Sequence, residues 1–175
     1  QRRVAIKEGD EYIGREYYIL RTCMHDNIVQ MIDYFVHTAN NVTCYYLVLE
    51  YCEGGSLHDV LEERCLTSRE YTCFAMDLLQ GLHYLHCEKN IVHRDLKTEN
   101  VLLQPAARDV PLLKISDYGL AREQNSLMQS CVGTVLFNSP EILTHKPYSL
   151  KTDLYSLGVI LYNMFTNEFP YGTMK

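Results

Sequence analysis

One stretch limits the fold more than any other: His93-Arg94-Asp95-Leu96-Lys97-Thr98-Glu99-Asn100. It sets the Asp95 carboxylate, two cations and the Asn100 amide within eight residues. A helical pattern ends before it, near His86, and the apolar run Val101-Leu102-Leu103 follows it. The stretch is therefore a loop between a helix and a strand. An aspartate held against a lysine and an asparagine suits a site that takes a proton from a hydroxyl beside a polyphosphate. The plain alternative is a polar turn.

The flanking patterns place the other elements. Val4-Ala5-Ile6-Lys7 is a short β-rich run ending in a lysine. Residues 8–23 read as a helix, with Ile13, Tyr17 and Leu20 on one apolar face and Glu16 beside it. Residues 28–36 and 44–49 read as strands joined by the polar turn Thr38-Ala39-Asn40-Asn41. Residues 57–66 and 71–86 read as helices, the second with Phe74, Leu78, Leu82 and Leu85 at helical period. Residues 101–103 and 112–115 read as strands, and 153–165 as an apolar helix.

Composition narrows the function. A chain of 175 residues supports one domain with a substantial core. Apolar content of 47% with 22% charged residues is that of a globular protein. The net charge of −6 leaves no broad footprint for nucleic acid, although a few local cations and a metal ion suffice for a nucleotide. No apolar run reaches the length of a membrane span. Seven cysteines at irregular spacing, with no C-x-x-C pair, suit reduced thiols and a cytoplasmic location, not a disulfide framework or a zinc site. His83 and His86 lie three apart without a third ligand in register, so they read as packing residues.

The pattern H-R-D-L-x-x-x-N at 93–100 resembles the catalytic loop of eukaryotic Ser/Thr protein kinases, and the resemblance runs from Val4 to Tyr171. It implies an α+β, two-lobed fold, truncated at both ends. Residues 1–50 would be part of a small β-rich lobe with one helix, 51–56 the hinge, and 57–175 part of a larger, mainly helical lobe. The chain starts without Met, no glycine-rich loop precedes Val4, and the family's last helices are absent, so a fragment is expected.

The resemblance also implies roles. ATP and Mg²⁺ would be the cofactors and a protein Ser or Thr hydroxyl the acceptor. Asp95 would be the base, Lys97 would sit at the transferring phosphate, and Asn100 and Asp117 would hold the metal. Lys7 would pair with the nucleotide phosphates. Glu16 is the glutamate that would pair with Lys7, with Glu11 competing; the plain alternative for either is a surface acid. Leu49 would be the gatekeeper, the backbones of Glu50 and Cys52 would face the adenine edge, and Leu102 would lie beneath it. Ala5 and Ser56 join the nucleotide set. Asp117-Tyr118-Gly119 resembles D-F-G, and the Tyr118 hydroxyl needs a partner if buried. Residues 120–132 resemble an activation segment, with Ser130 matching the position of an activating kinase's target and Arg94 and Arg122 available to a phosphate there. An unmodified loop serine is the alternative. Thr134 would bond near Asp95 and Lys97. Glu141 of Ser139-Pro140-Glu141 would pair with a later arginine. Asp153 would cap its helix and brace the catalytic loop. Stretches 46–55 and 104–111 look like unc-51-like kinases, and 97–100 and 133–141 like NIMA-related kinases. A pseudokinase or scaffold is the rival reading: the short link between Lys7 and Glu16 and the missing glycine loop favour it.

Overall fold

The computed structural model describes residues 3–40, 42–123, 135–146 and 149–171. The chain begins as a three-stranded antiparallel sheet in the order β1 (Val4–Gly9), β3 (Val42–Glu50), β2 (Met31–Ala39). Helix α1 (Glu11–Leu20) lies between β1 and β2 in sequence and packs on the sheet.

Several boundaries differ from the sequence pattern. The first helix starts at Glu11, not residue 8, because Glu8 and Gly9 pair with Tyr46 and Tyr45. Asp10 then caps the helix by accepting from Tyr12 N at 3.0 Å. Strand β2 starts three residues later than 28, because Ile28 is taken by a parallel bridge to Ile115. The hairpin turn is tighter than the polar run 38–41: Thr38 still pairs with Thr43, and Asn40 takes a φ of 50°.

The rest is mainly helical. Helix α2 (Leu57–Glu63) starts at a capping box between Ser56 and Asp59. Helix α3 (Ser68–His83) starts earlier than residue 71 because Thr67 and Glu70 cap each other reciprocally. It gives way to one wider π turn over Tyr84–Glu88. Short strands follow: β4 (Ile91–Val92), β5 (Val101–Gln104), β6 (Leu112–Ile115) and β7 (Arg122–Glu123), with β5 on β6 and β4 on β7. A short helix α4 (Pro140–Leu143) and the long α5 (Lys151–Thr166) complete the described chain. Asp153 does not cap α5; Leu150 stands at that position, and the Asp153 carboxylate turns to the loop at 93–94.

The core gathers Leu57, Phe74, Leu78, Leu85, Leu96, Leu113, Ile115 and Ile160 between the helices and β5–β6. It fixes the floor of the site. No helix among the described residues is long and apolar enough to cross a membrane.

Candidate active site

Two polar clusters meet at the junction of the sheet and the helices. The first is built on Lys7. Strand alternation turns Lys7 to the same side of β1 as Ala5, towards α1. On α1, Glu16 falls on the face of Ile13 and Leu20 and is 1% exposed. Lys7 Nζ donates to Glu16 Oε2 at 2.7 Å and to Asp117 Oδ1 at 2.8 Å. The other Glu16 oxygen accepts from Tyr118 N at 3.1 Å. A buried carboxylate thus has both oxygens engaged, which offsets its desolvation. The eight-residue link between Lys7 and Glu16 is long enough for this pair to close. The side chain of Glu11 lies outside the described residues.

Burial alone would pull the Lys7 ammonium down, but Glu16 and Asp117 outweigh it and hold its pKa above the ordinary value. Burial likewise opposes ionisation of Asp117, and Lys7 outweighs it, so that carboxyl titrates below its usual range. Both charges therefore persist through neutral pH. Asp117 takes a φ of 61°, in the left-handed region that a non-glycine residue enters at a cost. Its neighbour Tyr118 is buried, and its hydroxyl donates to Ile115 O at 3.1 Å. That bond is the partner the sequence called for.

The second cluster is the loop 93–100. Asn100 Nδ2 donates to Asp95 O at 2.8 Å and to Asp95 Oδ2 at 3.1 Å. Lys97 Nζ lies 3.0 Å from Asp95 Oδ2. The loop backbone hangs on Asp153, which accepts from His93 N at 2.8 Å, Arg94 N at 2.9 Å and His86 Nε2 at 2.8 Å. His86 is thus a support for Asp153, and no cluster of three or more metal-ligating side chains occurs among the described residues. Asn100 O accepts from Ser116 N and Oγ, both at 2.9 Å, which ties this loop to the residue before Asp117.

One backbone link runs from β3 to β5. Leu49 pairs with Ala5, and the chain then turns through Cys52 to the Ser56–Leu102 bridge. The Ser56 hydroxyl is used in the α2 capping box. Burial, helped by the Glu50 charge, pushes the Cys52 thiol up to about 11, so it is a neutral packing group. Thr134 and Ser130 lie outside the described residues. Glu141 accepts from Thr152 Oγ1 at 3.3 Å, a partner that spacing did not point to.

A family model described as protein kinase domain matches residues 1–175. The chain belongs to the protein kinase family. Mitogen-activated protein kinase kinase kinase dlk-1 of Caenorhabditis briggsae is 36% identical over 177 residues, covering 99% of this chain and 20% of that protein. Serine/threonine-protein kinase STY46 of Arabidopsis thaliana is 33% identical over 169 residues, 94% of this chain and 28% of that protein. Serine/threonine-protein kinase atg1 of Dictyostelium discoideum is 37% identical over 166 residues, 93% of this chain and 24% of that protein. The chain thus spans 20–28% of the length of these relatives. Identities this similar across three differently named kinases assign the chain to no one subgroup.

Protein kinases use ATP and Mg²⁺. The donor set here fits that ion: the Asp117 carboxylate, 46% exposed, and the Asn100 side-chain amide would offer hard oxygen ligands on segments joined by the Ser116–Asn100 bond. Mg²⁺ is commonly held by one or two protein oxygens together with substrate phosphates and water, so a larger protein cage is not required.

Proposed function

We propose that the protein containing this domain transfers the γ-phosphoryl group of ATP to Ser or Thr hydroxyls of proteins. One observation carries the reading. Lys7 joins Glu16 and Asp117 in a single charged cluster while Asp95 is held by Asn100 and Lys97 on the adjoining loop.

In this reading Asp95 accepts the proton of the acceptor hydroxyl, a step worth about 10²–10⁴-fold. Lys97 neutralises charge beside the transferring group. Lys7, held by Glu16, orients the nucleotide phosphates. Asp117 and Asn100 hold Mg²⁺, which when bound would neutralise phosphate charge. The backbones of Glu50 and Cys52 face the adenine, with Ala5, Leu49 and Leu102 around the ring and Ser56 at the rim. Thr134, outside the described residues, would bond near Asp95 and Lys97. Residues 1–50 form the small-lobe part, 51–56 the hinge and 57–175 the large-lobe part. A second kinase acting on Ser130 is the regulatory input, and the cytoplasm, where free thiols such as exposed Cys65 and Cys87 stay reduced, is the site of action. The Ser/Thr names of the relatives and the lysine two residues after Asp95 support the acceptor class.

The test is Mg²⁺-dependent transfer of labelled phosphate to a generic Ser/Thr substrate by the full-length protein and its Asp117→Ala variant. Transfer by the first and none by the second is the expected result. Nucleotide binding without transfer by the wild-type protein would replace this reading with the scaffold one.

A further inference from the structure

The loop leaving α1 is bonded to both halves of the molecule. On one side it is a rung on β6: Ile115 N donates to Asn27 O at 2.8 Å, Val29 N to Ile115 O at 3.0 Å, and Asn27 Nδ2 to Leu113 O at 2.9 Å. On the other it holds the end of β3: Glu50 N donates to Gln30 O at 3.0 Å, and Gln30 N to Glu50 Oε1 at 2.8 Å. Directly across this junction, Lys114 Nζ on β6 lies 2.8 Å from Glu50 Oε1. The two side chains are only 7% and 13% exposed. Lys114 Nζ also reaches Ile28 O at 3.5 Å.

An ion pair this dry is a poor source of stability, because desolvating both charges cancels most of their attraction. Apolar residues would fill the same volume at less cost. What the charges add is direction: a carboxylate that already accepts a backbone N–H can meet the ammonium in few geometries. Glu50 ends β3 directly before the proposed hinge, and Lys114 stands three residues before Asp117 on the strand that leads to it.

We propose that the Glu50–Lys114 pair is a positioning device for the nucleotide. It ties the hinge backbone to the strand leading to Asp117, so that the adenine end and the phosphate end of the site keep one spacing. Neither charge touches the nucleotide; both act through the backbone they hold. The proposal rests on the reading of the Glu50 and Cys52 backbones, at the start of the hinge, as adenine-facing.

The experiment uses full-length protein and Mg·ADP as the probe, with dissociation constants and thermal midpoints measured for the wild type and three variants. Lys114→Met should bind Mg·ADP about tenfold more weakly, the worth of one well-placed hydrogen bond. Its KM for ATP should rise in step, with kcat at saturating ATP and KM for the protein substrate unchanged. The double variant Glu50→Gln, Lys114→Met should recover the thermal midpoint, since no unpaired buried charge remains, yet still bind weakly, since the tie is gone. Lys114→Arg, which keeps the charge, should restore affinity. Should Lys114→Met fail to fold, the double variant alone decides the matter. Affinity that returns with the thermal midpoint in the double variant would make the pair structural only and overturn the proposal, as would affinity equal to wild type in every variant. Absence of Mg·ADP binding by the wild-type protein would instead overturn the hinge reading on which the proposal stands.

Discussion

Asp95 and Tyr118 are two residues whose environments make opposite demands. Asp95 is held by an amide and an ammonium. Asp95→Asn keeps the size and the Lys97 neighbourhood but removes the carboxylate proposed as the proton acceptor. We expect kcat to fall about 10²–10⁴-fold with ATP affinity little changed, read by steady-state transfer beside nucleotide titration. Tyr118→Phe removes only the hydroxyl that donates to Ile115 O. That carbonyl still accepts from Val29 N, so no buried acceptor is left bare. The cost should sit at or below about 1 kcal/mol in denaturant unfolding, with turnover retained. The sequence showed both residues plainly, because their chemistry is local: an eight-residue motif for one, a polar atom on a buried ring for the other. It did not show the Glu50–Lys114 pair. Two residues 64 positions apart meet only through the hinge and β6, and a strand lysine carries no mark of its burial.

Elements were legible where a period ran long enough. The faces of α1 and α3 and the strands β5 and β6 follow directly from apolar spacing. Their ends were not, because ends are set by single bonds competing with the period. Thr67 and Glu70 show the point: the T-x-x-E signature was present, and the capping box it forms starts α3 three residues before the apolar period suggested. The same box yields a pH prediction. Hydrogen bonding from Arg64, with Thr67 adding to it against the cost of burial, lowers the Glu70 carboxyl from 4.5 to about 2. A carboxyl lowered by folding contributes stability that is complete above its unfolded value and is lost as pH falls through the folded one. The contribution from this helix start should therefore fade between about pH 4.5 and pH 2. Glu70→Gln should lower the thermal midpoint at pH 7 and flatten its dependence on pH across that acid window. A variant whose acid slope matches wild type would show that Glu70 is not the group responsible.

At the scale of the whole molecule, the sheet and the helical part are joined by few segments, and their closeness depends on glycine. Gly54 N donates to Leu103 O at 2.9 Å, and Leu103 N returns a bond to Gly55 O at 2.9 Å. A Cβ at Gly54 would lie 2.7 Å from Leu103 Cβ and 2.8 Å from Leu103 O. Leu103 is a buried strand residue, so its backbone cannot give way without moving β5. The hinge must lift instead. The resemblance placed Gly54-Gly55 in the hinge, and by itself the pair reads as any turn; the requirement for a bare Cα arises from a strand about fifty residues later and is invisible until the two are packed. Gly54→Ala should cost about 1–3 kcal/mol, as overpacking does, and should weaken nucleotide binding because the segment that shifts is the one proposed to face adenine. Gly158 supplies the control. It lies within α5, is exposed, and a Cβ there meets nothing within 4 Å among the described residues. Gly158→Ala should stabilise by about 0.5–1 kcal/mol through helix propensity alone and leave nucleotide binding untouched. The two alanines, compared by denaturant unfolding and Mg·ADP titration of the full-length protein, should move stability in opposite directions and affinity in only one case. If Gly54→Ala binds as wild type does, the hinge does not need its contact with β5 to hold the nucleotide, and the spacing of the site is set elsewhere.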